Sequence, residues 1–236
     1  MPNKIQILCT KKISNSSIQL AEENNICIDE LNFIETKESL SEEIRKRILE
    51  LSKQNFTAIF TSSNAVNAVA KIVSAPLKWK IYCINPGTKK NIENAFENAS
   101  IAGSATDAAE LSKIIIEDKP ANPVVFFCGN QRRGLLPDKL KSNGIYMEEL
   151  IVYKTIENPH LVSKNYDGIL FFSPSAVRSF FANNKIQSET VLFSIGKTTS
   201  EEVKNYSNNA TIISDIPDTK KLIADVIKHF STVKNI

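Results

Sequence analysis

Residues 56–116 recur as residues 167–227 at a constant offset of 111, without a gap. Ser62-Ser63-Asn64-Ala65-Val66 falls on Ser173-Pro174-Ser175-Ala176-Val177, Ile84 on Ile195, and Thr88 on Thr199. Farther along, Ala99, Ile101, Asp107 and Leu111 fall on Ala210, Ile212, Asp218 and Leu222. The period is too long for a solenoid, whose repeats run to roughly 20–50 residues. It predicts two similar units of about 110 residues each. The segment before each block corresponds as well: IQILCTKK (5–12) is similar to VVFFCGNQ (124–131) at a slightly longer offset.

Within each unit, apolar runs of strand length alternate with helical patterns. Strands are expected at 5–9, 26–33, 57–61, 80–84, 99–101, 124–128, 147–153, 168–172, 191–195 and 210–213. Helices are expected at 41–53, 63–73, 88–97, 107–117, 136–142, 174–183, 199–205 and 218–231. The strands are apolar nearly throughout, as strands buried on both faces must be, so the fold class is α/β with parallel sheets of the flavodoxin- or Rossmann-like kind. Two such units leave a cleft, and ligands of open parallel sheets bind beyond the carboxyl ends of the strands.

Composition narrows the function classes. A chain that is 42% hydrophobic can pack a core. No apolar run nears the roughly 20 residues of a membrane span. The short stretch Ile5–Cys9 is too brief for a secretory signal, and a cytoplasmic protein is expected. A net charge of +3 gives no reason to expect a nucleic-acid partner. Cys9, Cys27, Cys83 and Cys128 lie far apart, which argues against disulfides and metal cages, and three of them sit in apolar strands as small buried hydrophobes. His160 and His229 stand away from any ligand cluster and are expected at the surface. Phosphate-loop, dinucleotide and G-x-S-x-G signatures are missing. No metal or cofactor is expected. With no heptad or large apolar stripe, a monomer is expected.

The strand ends carry the candidate chemistry. They hold Thr61, Ser62, Ser63 and Asn64 after one strand, and Gly129, Asn130 and Gln131 after another. Ser173 and Ser175 follow a third, and Gly196, Lys197, Thr198 and Thr199 a fourth. Ser, Thr and Asn here fit ordinary helix caps. Taken together they also fit an anion site, since helix N-termini offer free N–H groups and a favourable dipole. Lys197, Arg132 and Arg133 add positive charge. A multiply anionic small molecule is the expected ligand. Tyr153, at the end of the run Glu149–Tyr153, is either an apolar wall with a polar tip or a proton donor.

Four segments, IFTSSNAV (59–66), FFCGNQRRGLLPDKLKSNGIYMEELIVYKT (126–155), ILFFSPSAV (169–177) and SIGKTTSEEV (194–203), make the chain resemble the uroporphyrinogen-III synthase family over nearly its whole length. Lys197 stands where the family pattern more often has proline, and Ser63 completes a triplet that more often reads Thr-Ser-Pro. The resemblance implies two α/β domains, one discontinuous (1–34 plus 155–236) and one of 38–150, joined by a two-stranded connector near 26–37 and 147–155. It implies cofactor-free cyclisation of hydroxymethylbilane, a linear tetrapyrrole with eight carboxylates, with loss of water and inversion of the last ring. It gives Tyr153 the role of assisting hydroxyl departure. Ser62, Ser63, Ser173, Ser175, Thr198 and Thr199 become carboxylate-binding residues. A non-catalytic cytosolic sensor for an anionic metabolite is the alternative that two α/β units alone leave open.

Overall fold

Side chains along a strand point alternately to opposite faces. In the run from Phe56 to Phe60, this sends Phe56, Ala58 and Phe60 into one core and Ile59 into another. Val125 and Phe127 join the first core, whereas Val124, Phe126 and Cys128 join the second. A sheet with two apolar faces needs helices on both, which is why strand and helix alternate along this chain.

The computed structural model describes residues 4–73, 78–97, 99–120 and 123–233. In chain order the first elements are β1 (Ile5–Cys9), α1 (Asn15–Glu22), β2 (Ile26–Glu30), β3 (Ile34–Glu38) and α2 (Glu42–Leu51). There follow β4 (Phe56–Phe60), α3 (Ser63–Ala70), β5 (Trp79–Ile84), α4 (Pro86–Ala95), β6 (Ser100–Ala105) and α5 (Ala108–Asp118). Next come β7 (Val124–Gly129), α6 (Leu135–Ser142), β8 (Glu148–Glu157), β9 (Gly168–Phe171) and α7 (Pro174–Phe181). The last are β10 (Val191–Ser194), α8 (Lys197–Lys204), β11 (Thr211–Ile213) and α9 (Thr219–Val233).

The chain divides into two compact units, one of Met1–Glu35 with Ile156–Ile236 and one of Thr36–Thr155. The sheet of the first runs β11-β10-β9-β1-β2, and every neighbouring pair is parallel. The sheet of the second runs β3-β8-β7-β4-β5-β6, with β8, β7, β4, β5 and β6 mutually parallel. Laid over one another by the 111-residue repeat, the two orders agree. β9, β10 and β11 stand for β4, β5 and β6, and β1 and β2 stand for β7 and β8. One unit is thus a circular permutation of the other, because its β1-α1-β2 piece precedes the repeat block instead of following it. β1 pairs with β9 across some 160 residues of chain. β3 and β8 each pass from one unit to the other. They run in opposite directions, bonded from Ser39 N to Val152 O at one end and from Asn158 N to Phe33 O at the other.

Several expectations need correction. Residues 26–33 are not one strand: Phe33, fully buried, turns into the core against Phe180, and the chain breaks between β2 and β3. Helix α1 escaped the pattern reading because only Ser17 and Ala21 of its eight residues are buried; its Ser14 hydroxyl accepts from Ser17 N. Helices α4 and α8 begin two residues earlier than expected, at Pro86 and Lys197. Tyr153 does not end a strand, since β8 continues to Glu157. The two histidines are half-buried, His160 edge-on to Phe33 and His229 edge-on to Phe193. Cys9, Cys83 and Cys128 are buried thiols as expected, and burial pushes them up to about 12, 11 and 11.

Candidate active site

Helix α3 starts at the carboxyl end of β4, capped by Ser62, whose hydroxyl accepts from Asn64 N at 3.1 Å. Its apolar face buries Ala65, Val66, Ala68 and Val69. Its polar face carries Asn64, Asn67 and Lys71, spaced to fall on one side of a helix. That face, with Thr36 and Glu38 of β3 and Tyr153 of β8, lines an open cleft of about 420 Å³. Lys71 ion-pairs with Glu38, and Asn91 Nδ2 donates to Asn67 Oδ1 at 3.4 Å. Asn64 and Tyr153 were legible in the sequence as candidates; Asn67, Lys71 and Glu38 were not. The polar stripe along α3 was the signal available for the first two of these.

Tyr153 is half-buried and lies against the backbone of Gly129. A β-bulge between Cys128 and Gly129 shifts the register, so that Cys128 faces Ile151 but Gly129 faces Tyr153. Asn130 ties the same place together. Its backbone N–H donates to Tyr153 O at 3.2 Å, and its Oδ1 accepts from Thr155 N at 2.8 Å. The side-chain amides of Asn130 and Gln131 both donate toward Thr155 O at 3.4 Å. Among the sequence-derived candidates, the structure therefore gathers Asn64, Gly129, Asn130, Gln131 and Tyr153. Arg132 is not free to supply charge, because its guanidinium is paired with Glu149. The neighbouring Cys128 thiol, raised first by burial and then by Glu149, stays protonated.

In the other unit, Ser173 caps α7, its hydroxyl accepting from Ala176 N at 3.2 Å and lying 3.1 Å from the hydroxyl of buried Ser175. The start of α8 differs from its counterpart in the repeat. Asn85 caps α4 by accepting from Thr88 N at 2.8 Å. Gly196, at the equivalent position, leaves α8 with no side-chain cap and with open space where a Cβ would stand. Lys197 and Thr198 are exposed in the first turn of α8 and Thr199 is buried, so these residues are helical rather than loop. Uncapped amides beside a lysine favour an anion. Lys11, at the end of β1, was not singled out in the sequence. Its ammonium sits 4.1 Å over the Phe172 ring and donates to Thr219 Oγ1 at 3.4 Å, and burial lowers its pKa.

Among the described residues no group of three or more His, Cys, Asp or Glu side chains is poised to hold a metal. No helix among them is long and apolar enough to cross a membrane.

Two permuted copies of one parallel α/β unit, with helix-capping hydroxyls at the strand ends and a half-buried phenol within β8, define a two-unit α/β protein. The chain belongs to the uroporphyrinogen-III synthase HemD family, whose model matches residues 17–224. It is 27% identical over 176 residues to a uroporphyrinogen-III synthase of Saccharomyces cerevisiae, a match spanning 64% of this chain and 64% of the yeast protein's length. Among solved structures it resembles a mutant uroporphyrinogen III synthase of the extremely thermophilic bacterium Thermus thermophilus, with a TM-score of 0.67 and 12% identity, over 98% of this chain and 100% of that one. It also resembles the uroporphyrinogen-III synthetase of Helicobacter pylori, with a TM-score of 0.67 and 16% identity, over 95% of this chain and 99% of that one.

Proposed function

We propose that this protein is a uroporphyrinogen-III synthase, cyclising hydroxymethylbilane to uroporphyrinogen III in tetrapyrrole biosynthesis. The observation that carries the reading is the family match over residues 17–224. The family resemblance implies a mechanism, and the place of Tyr153 in the lining of the cleft supports it. Tyr153 donates its phenolic proton to the departing hydroxyl, which leaves as water. The electrophilic azafulvene so formed is attacked by the substituted carbon of the last pyrrole. The resulting spiro intermediate fragments and recloses with that ring inverted, and the proton released from the ring carbon on closure returns to the Tyr153 phenolate. Strand-end groups are the proposed binders of the substrate's carboxylates. Thr61, Ser62, Ser63 and Asn64 serve in one unit. Ser173, Ser175 and the uncapped first turn Gly196-Lys197-Thr198-Thr199 serve in the other. Holding a flexible chain with its ends together can lower a barrier by about 7–11 kcal/mol. The discontinuous and continuous units are taken as the two domains of the enzyme. A monomer working in the cytoplasm completes the reading, and the buried free thiols fit a reducing compartment.

The test is the product isomer. Supplied with hydroxymethylbilane, the purified protein is expected to yield the inverted isomer faster than spontaneous closure yields the uninverted one. The uninverted isomer alone, at the spontaneous rate, would end the proposal. Replacing Lys197 by methionine is expected to raise KM and flatten its dependence on salt, since one cation less meets the substrate. A KM and salt response identical to the parent's would return Lys197 to solvent.

A further inference from the structure

We infer that Gly129 and Asn130 form a seat that positions the Tyr153 phenol, so that their part in the reaction is played through the tyrosine and not through contact with substrate. The inference rests on the reading of Tyr153 as the proton donor. A Cβ at Gly129 would stand 2.5 Å from Cζ of Tyr153, 2.6 Å from Cε2 and 2.8 Å from the phenolic oxygen. No side chain larger than hydrogen fits there with the ring where it is. The ring lies over the bare backbone at the end of β7 because the bulge between Cys128 and Gly129 brings Tyr153 opposite the glycine. Without the bulge, Val152, the extra residue on β8 and wholly buried, would face Gly129 in place of Tyr153.

Asn130 fixes the strand on which the ring is mounted. Its backbone N–H donates to Tyr153 O and its side-chain Oδ1 accepts from Thr155 N, holding β8 at two points directly after the tyrosine's Cα. The ring's outer edge is thus set by a missing Cβ and its backbone by a two-point clamp. A proton donor must stay within hydrogen-bond reach of the leaving oxygen, and small displacements are costly there.

The chemistry of the clash makes this testable. The atoms that a new Cβ would meet are the far end of a flexible side chain, so Gly129→Ala swings the ring aside and leaves the sheet intact. The full chain would be labelled with 3-fluorotyrosine; of its five tyrosines, Tyr153 is assigned by the fluorine signal missing from Tyr153→Phe. In Gly129→Ala the Tyr153 signal is expected to move while the other four stay. Turnover is expected to fall about as far as in Tyr153→Phe with KM nearly unchanged, and adding Gly129→Ala to Tyr153→Phe is expected to cost nothing further. Asn130→Ala is expected to move the same signal and lower turnover less, and it supplies the reading should the alanine at 129 prevent folding. A Tyr153 signal unmoved in the folded variants, or losses that multiply in the double variant, would overturn the seat. Full turnover in Tyr153→Phe would instead sink the proton-donor reading, while the fluorine shift, read without substrate, would still report on the seat.

Discussion

Tyr153→Phe is expected to lower kcat at least about tenfold, or roughly 1.4 kcal/mol of barrier. Phenylalanine keeps the ring on Gly129 and removes only the hydroxyl, so folding stability and KM should change little. In the proposed function the substrate's carboxylates are assigned to other groups, which is why the loss is expected in kcat. A second consequence follows from the chemistry. Slower formation of the azafulvene leaves more of the linear substrate to close spontaneously without inversion, so the isomer ratio should shift toward the uninverted product. Steady-state kinetics with isomer analysis reads both quantities. A variant with the parent's kcat and isomer ratio would remove Tyr153 from the mechanism.

The repeat explains how much of this was legible beforehand. A gapless offset of 111 carries α3 onto α7, α4 onto α8, β6 onto β11 and α5 onto α9 at their first residues. Parallel pairing followed from strands that bury both faces, as β4 and β7 do. Illegible parts have specific physical causes. α1 is half polar and held by a cap and two small buried side chains, so its periodicity is faint. The break at Phe33 depends on a tertiary partner, Phe180, nearly 150 residues away. The cleft beside Tyr153 depends on Glu38 and Lys71 meeting across two elements. The exposure of the α8 amides was half legible: glycine at 196 is visible in the sequence, but its contrast with Asn85 gains meaning only when α4 is seen to be capped. Seating the phenol needed a bulge, and no pattern of residues announces a bulge at Cys128.

Trp79→Ala is expected to destabilise the unit of Thr36–Thr155 by about 3–5 kcal/mol. Trp79 is 1% exposed and packs on Phe56 with ring centroids 4.7 Å apart, on Phe127 at 5.7 Å and on Phe96 at 5.9 Å. Its indole N–H donates to Leu51 O at 3.3 Å. Removing the ring leaves a cavity walled by three aromatic rings, which are too rigid to collapse into it. Leu51 O keeps a bond from Gln54 N at 3.0 Å, so the loss is one of packing more than of hydrogen bonding. Against a typical total stability of roughly 5–15 kcal/mol this is a large fraction, and for a domain of about 100 residues it lowers the melting midpoint by more than about 10 °C. Trp79→Phe separates the contributions, because it preserves a stacked ring and should cost less than half as much. Because Trp79 is the chain's single tryptophan, its fluorescence in the parent protein follows this unit alone, and far-UV circular dichroism follows the variants. A parent-like melting midpoint in Trp79→Ala would mean that the aromatic cluster does not hold this unit together.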